Sequence, residues 1–396
     1  MSAMPIVLPS NRDENWKYAN LRALARARFE PAPAPEAAQV KEIAAMLPAA
    51  LPGYARLVLV DGHHVAALST AAAGVSITQE VDADEKPGAD QPGADQPGAD
   101  QLFANLNRRF RQGTCRIDVP AHAALALEVV CVATASSHPA LEISLGHGAK
   151  LQLIERQLSA RSESATLVNL HLAARVGEHA EFELARIGQH GAKAQALDTL
   201  ELQLGAGAAM KCVQITEGAL ASRSTAFIEH VGRDASLEWH VAALGEGTQH
   251  HDAFVHVTHA APGARTLQCF RGIATGRSRI AFNGHMRVEA AAVGTQTDQS
   301  LKCLLAGTEA EANVRPQLEI YTDAVKASHG ATVGKLDPDM LFYLLSRGIP
   351  PATAESLLKW AFVSDVLAKL PSSDLRSQVA AALERQLPGA VTRALS

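Results

Sequence analysis

Histidine is the residue type here most able to bind a metal or move a proton, and it is unevenly spread. His250, His251, His256 and His259 form the densest group. On an extended strand His250 and His256 face one way while His251 and His259 face the other. No face of that strand gathers three ligands, so it predicts ordinary strand histidines and not a zinc-type site. His63 and His64 follow the turn signal Asp61-Gly62 and read as turn histidines. His329 stands alone in a polar, Gly-punctuated run that starts at Ala327. A neutral imidazole binds iron but releases it more easily than a thiolate does, which suits a ligand that holds metal transiently. The competing reading of His329 is a satisfied histidine at a strand end.

Other chemistries find little support. The five cysteines, Cys115, Cys131, Cys212, Cys269 and Cys303, are scattered without a C-x-x-C pair and imply no disulfide framework. Gly-x-Gly occurs at Gly146/Gly148, Gly205/Gly207 and Gly245/Gly247, but no phosphate-binding pattern is completed, so these glycines read as turns. No G-x-S-x-G elbow is present. Asp198, Asp234 and Asp252 are too irregularly placed for the acidic ladder of a carbohydrate-active solenoid. With 36 basic against 41 acidic residues there is no basic field to draw nucleic acid or a membrane surface. Met4 to Leu8 is too short for a signal peptide, and no apolar run reaches the roughly 18 residues of a spanning helix. The expected location is the cytoplasm.

The elements that must position these residues are mostly strands. A Gly-x-x-Ala motif recurs at Gly146, Gly177, Gly205 and Gly232, roughly 30 residues apart, each time followed by apolar–polar alternation. Lys150-Leu151-Gln152-Leu153 and Glu181-Phe182-Glu183-Leu184 are examples. A period of that length without helical pattern predicts a β-solenoid, with a β-sandwich as the rival. Around it lie an N-terminal helical region with short strands (1–110), the β core (111–335) and a C-terminal helical domain (336–396). The first region holds helices around Leu21 to Arg28, Val40 to Leu47 and Leu102 to Phe110. It also holds PGADQ repeated three times over 87–101, a composition that predicts a flexible insertion. The C-terminal domain opens with Asp337 as cap, Pro338 at the first helical position and a stop at Gly348. Met340, Leu341, Leu344 and Leu345 form its apolar stripe. Ala354, Leu357, Leu358, Ala361, Phe362, Val366 and Leu370 mark a second helix. A third, capped by Ser373, carries Leu375, Val379 and Leu383.

The run from Ala327 to Ile349, HGATVGKLD followed by LFYLLSRGI, resembles the SufB/SufD family of iron–sulfur cluster assembly proteins, and within it the SufD branch. His329, Gly330, Ala331 and Thr332 match the His-Gly-Ala-Thr of that branch, where SufB proteins carry Glu after the histidine. The likeness runs from about Arg271 to about Leu370, more loosely through the middle, and reappears in ENWKY, Glu14 to Tyr18. It implies a right-handed parallel β-helix in a non-catalytic subunit of a SufB–SufC–SufD complex. That β-helix would pair edge to edge with SufB, and the helix Asp339 to Arg347 would dock the SufC ATPase. Phe342, Tyr343, Arg347 and Gly348 are the docking candidates. His329 would lie at the SufB interface as a transient iron or iron–sulfur ligand, with no stably bound cofactor. A homodimer is the alternative pairing when the chain is alone. Many relatives have Cys two residues before the histidine, where this chain has Ala327. Two readings stay open beside this one: a SufB-like primary scaffold and a β-helix carbohydrate-active enzyme.

Overall fold

The computed structural model describes residues 8–10, 12–70, 72–78, 99–159 and 165–390. Most of the PGADQ repeat, 87–98, lies outside them. Each Gly-x-x-Ala segment is a tight turn. The amides of Ala149, Ala180 and Ala208 return to the carbonyls of Gly146, Gly177 and Gly205 at 3.1 Å. The third turn residue is left-handed each time: Gly148, His179, Gly207 and Asp234 have φ between 54° and 62°. The leading glycine is required by its neighbour below. A Cβ on Gly177 would stand 2.3 Å from the Leu145 carbonyl oxygen, and one on Gly232 2.0 Å from the Ala206 nitrogen. Backbone therefore rests on backbone from coil to coil, and only glycine fits.

After each turn the alternation launches a strand. Lys150–Ser159, Glu181–Gln189, Ala209–Glu217 and Ser236–Gly245 pair parallel and in register, stacking Leu151, Phe182, Met210 and Leu237 on one another. These strands belong to a first sheet that ends with Arg265–Thr275, Gln296–Ala306 and Lys326–Lys335. The return strands form a second sheet ending in Ala221–His230, His250–His259, Arg279–Val288 and Glu311–Ile320. Successive coils thus alternate between two facing sheets, which is the predicted parallel β-helix. One apolar cluster fills the space between them from Leu57 to Ala310.

The outer faces are covered by helices. Pro351–Leu367 and Ser373–Leu383 lay Val363, Val366, Leu367, Leu375 and Val379 on Ile187, Ile215, Leu244 and Ile273 of the first sheet. Helix Leu102–Phe110 and Trp16 cover part of the second. Three details differ from expectation. Ala361 is exposed while Val363 and Leu367 are buried, because the covered stripe follows Val363, Val366, Leu367 and Leu370 at helical spacing. Ser372, not Ser373, caps the last helix, accepting from the Leu375 amide at 3.0 Å. The first helix spans only Leu21–Leu24.

Candidate functional site

The strand Lys326–Lys335 is the last of the first sheet. Gln296–Ala306 pairs with one of its edges, and the other edge is unpaired among the described residues. Glu311–Ile320 ends the second sheet in the same way. The β-helix is therefore open at this end. Residues that would be buried one coil earlier are uncovered: Val333 is 42% and Ile320 40% exposed. His329 lies on this strand, exposed, with no hydrogen bond or ion pair to its ring among the described residues. Ser328, beside it, hydrogen-bonds Asp298 of the preceding coil.

Register places His329 in an inward-facing column. It is the partner of Gln299, which is the partner of Gln268. Both glutamines are buried. Gln299 Nε2 donates to Gln268 Oε1 at 2.8 Å and to the Gly284 carbonyl at 3.0 Å. A carbonyl only accepts, so the amide nitrogen must face Gly284 and Gln299 Oε1 is left without a donor. Gly284 makes room for this pair, since a Cβ there would stand 2.2 Å from Gln268 Oε1. The column thus ends in polar groups, Gln268, Gln299 and then His329 at the mouth. The two glutamines were missed in the sequence, although they precede His329 by one and two coils of the repeat.

Beyond the mouth, Asp337 caps helix Pro338–Ser346 by accepting from the amides of Asp339 and Met340 at 2.9 and 3.3 Å. Gly348 ends it with φ 78°. No residue of this helix is buried. Phe342 is 71%, Met340 58% and Tyr343 56% exposed. The Arg347 guanidinium lies 5.1 Å from the Tyr343 ring centroid. The apolar stripe read from sequence divides: Leu341 and Leu344 are half-buried, while Met340 and Leu345 are exposed with Phe342.

The remaining candidates are engaged elsewhere. All five cysteines are buried and free. Burial pushes the thiols of Cys115 and Cys303 up to about 12, and those of Cys131, Cys212 and Cys269 upward as well. None sits in the electropositive, accessible surroundings of a reactive thiolate. His251 and His259 are buried while His250 and His256 lie on the opposite face, as alternation requires. His63 is held by the Ala32 carbonyl at 2.9 Å. Asp198 pairs with buried Arg186 at 3.0 Å, Asp252 pairs with Arg223, and Asp234 sits in an exposed turn beside Arg233. They form no ladder. The ENWKY segment is an anchor: Trp16 is fully buried beneath the Arg223 guanidinium, 4.2 Å away. Its Nε1 donates to Asp100 at 2.7 Å. Residues 99–101, expected to belong to a flexible insertion, instead form a short 3-10 turn that presents this carboxylate.

The family model described as SUF system FeS cluster assembly, SufBD core domain, matches residues 130–362. The iron–sulfur cluster assembly protein SufD of Escherichia coli (strain K12) is 27% identical over 96% of this chain and 90% of its own length. A SufBD family protein of Synechocystis is 25% identical over 94% of this chain and 86% of its own. SufD of Bacillus subtilis (strain 168) is 30% identical, over 36% of this chain and 33% of its own.

Proposed function

The chain belongs to the SufB/SufD family of iron–sulfur cluster assembly proteins, on its SufD side, and from that premise we propose that it acts as a non-catalytic co-scaffold. It takes part in iron–sulfur cluster assembly as one subunit of a complex with a SufB partner and the SufC ATPase. The observation that carries this reading is the open end of the β-helix, where two strand edges are unpaired among the described residues and His329 lies on one of them. An unpaired edge offers a row of backbone donors and acceptors to a second β-helix, so a SufB solenoid can continue both sheets. Pairing there would enclose His329 between the two proteins. Its imidazole would serve as a labile ligand to iron or a nascent cluster, which is cargo and not a resident cofactor. With Ala327 two residues away and every cysteine buried, no thiolate of this chain competes for that task.

Helix Pro338–Ser346 supplies the second contact. Phe342, Tyr343 and Arg347 form an aromatic and cationic surface of the kind that anchors protein interfaces. Docked there, an ATPase that closes on nucleotide would move this chain as a rigid lever against SufB and alter the enclosed site. The chain itself carries no phosphate-binding loop and needs none. Co-expression of the three proteins tests the reading: affinity capture of this chain should recover both partners. Recovery of neither, under conditions in which SufB and SufC bind each other, would overturn it.

A further inference from the structure

The histidine-rich strand gains a partner that its own sequence does not contain. On the outer face of the second sheet His256 is paired in register with His285 of the next parallel strand. Their Nδ1 atoms lie 3.0 Å apart, with ring planes at 90°. Each remaining ring nitrogen has an oxygen beside it. His256 Nε2 is 3.0 Å from Thr258 Oγ1, and His285 Nε2 is 3.0 Å from Glu319 Oε1, off the N–H axis. A carboxylate only accepts, so Glu319 favours the hydrogen on His285 Nε2 and leaves a lone pair on Nδ1. The contact between the two Nδ1 atoms then requires the hydrogen of His256 on its own Nδ1. If that hydrogen moves to Nε2, where the Thr258 hydroxyl can accept it, two lone pairs face each other with nothing between them.

A separation of 3.0 Å is that of an N–H···N hydrogen bond, and it also falls within the range a shared metal ion sets. Two nitrogens each about 2.0–2.1 Å from one ion stand roughly 2.9–3.4 Å apart at ordinary coordination angles. The next residue on the same face, in register with His285, is Gln317, whose Oε1 is buried and has no hydrogen-bond partner among the described residues. It offers a third donor. His256 lines a surface groove of about 860 Å³ whose lining includes neither His285 nor Gln317. Among the described residues no group of three or more His, Cys, Asp or Glu side chains could hold a metal, so this is not a closed structural site.

We propose that His256 Nδ1 and His285 Nδ1, with Gln317 Oε1 as third donor, form an exchangeable seat for a first-row divalent transition-metal ion. Two imidazoles and an amide oxygen suit copper, zinc or iron(II) better than magnesium or calcium. Binding moves the His256 hydrogen from Nδ1 to Nε2 and releases no proton. The placement of Glu319 beside His285 matches the outer-shell carboxylate that orients a metal-bound histidine. The seat lies on the outer face of the second sheet, whereas His329 is on the last strand of the first, so the two can be tested separately.

The test is titration of the full-length chain with Cu2+, read by electron paramagnetic resonance. The first equivalent should show hyperfine coupling to two nitrogens. A His256→Phe/His285→Phe variant of unchanged melting temperature should bind that equivalent at least about tenfold more weakly, whereas His329→Ala should bind it like wild type. If the double variant does not fold, His256→Gln replaces it, and loss of the two-nitrogen signal in that folded chain supports the seat. The proposal is overturned if the first equivalent keeps its affinity and spectrum in the folded variant, or if wild type binds no copper above the variant's level.

Discussion

Trp16 illustrates how much one residue depends on a partner far along the chain. Its indole is fully buried, and its one N–H is donated to Asp100, 84 residues away. Asp100 also accepts from Asn15 at 2.8 Å. Asp100→Ala would leave a buried indole N–H unsatisfied at a cost of about 1–3 kcal/mol. The expected result is a melting temperature lowered by about 1–4 °C for a chain of this length, with Asp100→Asn, which keeps an acceptor, falling less. Equal melting temperatures for wild type and Asp100→Ala would show that the indole finds another acceptor. Nothing local marks this pair. Trp16 is visible in the sequence as an anchor, but Asp100 is one of three identical aspartates in successive repeats, and only the folded chain selects it.

At the scale of elements, legibility follows how local the cause is. The turn at each Gly-x-x-Ala could be read because its determinants, a left-handed third residue and a glycine against the coil below, lie within four residues. The helix bounded by Asp337 and Gly348 was equally plain, since caps act over one turn. Which of its faces would be covered was not, because that depends on Pro351–Leu367 and the β-helix it packs against. Among the described residues Phe342 is the most exposed large apolar side chain. Phe342→Asp should therefore abolish co-purification with SufC, retain SufB, and leave the melting temperature unchanged. Loss of both partners together, or a large fall in stability, would make this helix a structural brace and not a docking element.

For the whole molecule, one consequence of the long β-helix is how many histidines it buries. Burial pushes His138, His190, His251 and His259 down to about 4 and His230, with His259 stacked on it, to about 3. Each binds a proton near pH 6.5 when unfolded but not until about pH 4 or below when folded. The stability they support is thus complete above about pH 6.5 and drains as pH falls toward 4, by about 2 kcal/mol for each such group near pH 4.5. Buried Glu155 and Asp252, whose carboxyls are pushed up by burial, act in the opposite sense. Melting temperature should nonetheless fall steeply between pH 6.5 and 4.5, and a flat profile would mean these sites admit protons without unfolding. The same architecture fixes the central claim. A β-helix covered by helices along part of its sides, and open among the described residues at the end formed by Lys326–Lys335 and Glu311–Ile320, leaves unpaired backbone beside His329. His329→Ala removes one exposed imidazole from a large interface, so the complex with SufB and SufC should still assemble. Reconstituted anaerobically with iron and sulfide, the mutant complex should carry far less cluster than wild type by visible absorption and iron content. A mutant complex that assembles and holds as much cluster as wild type would contradict the account, leaving His329 a bystander at the mouth.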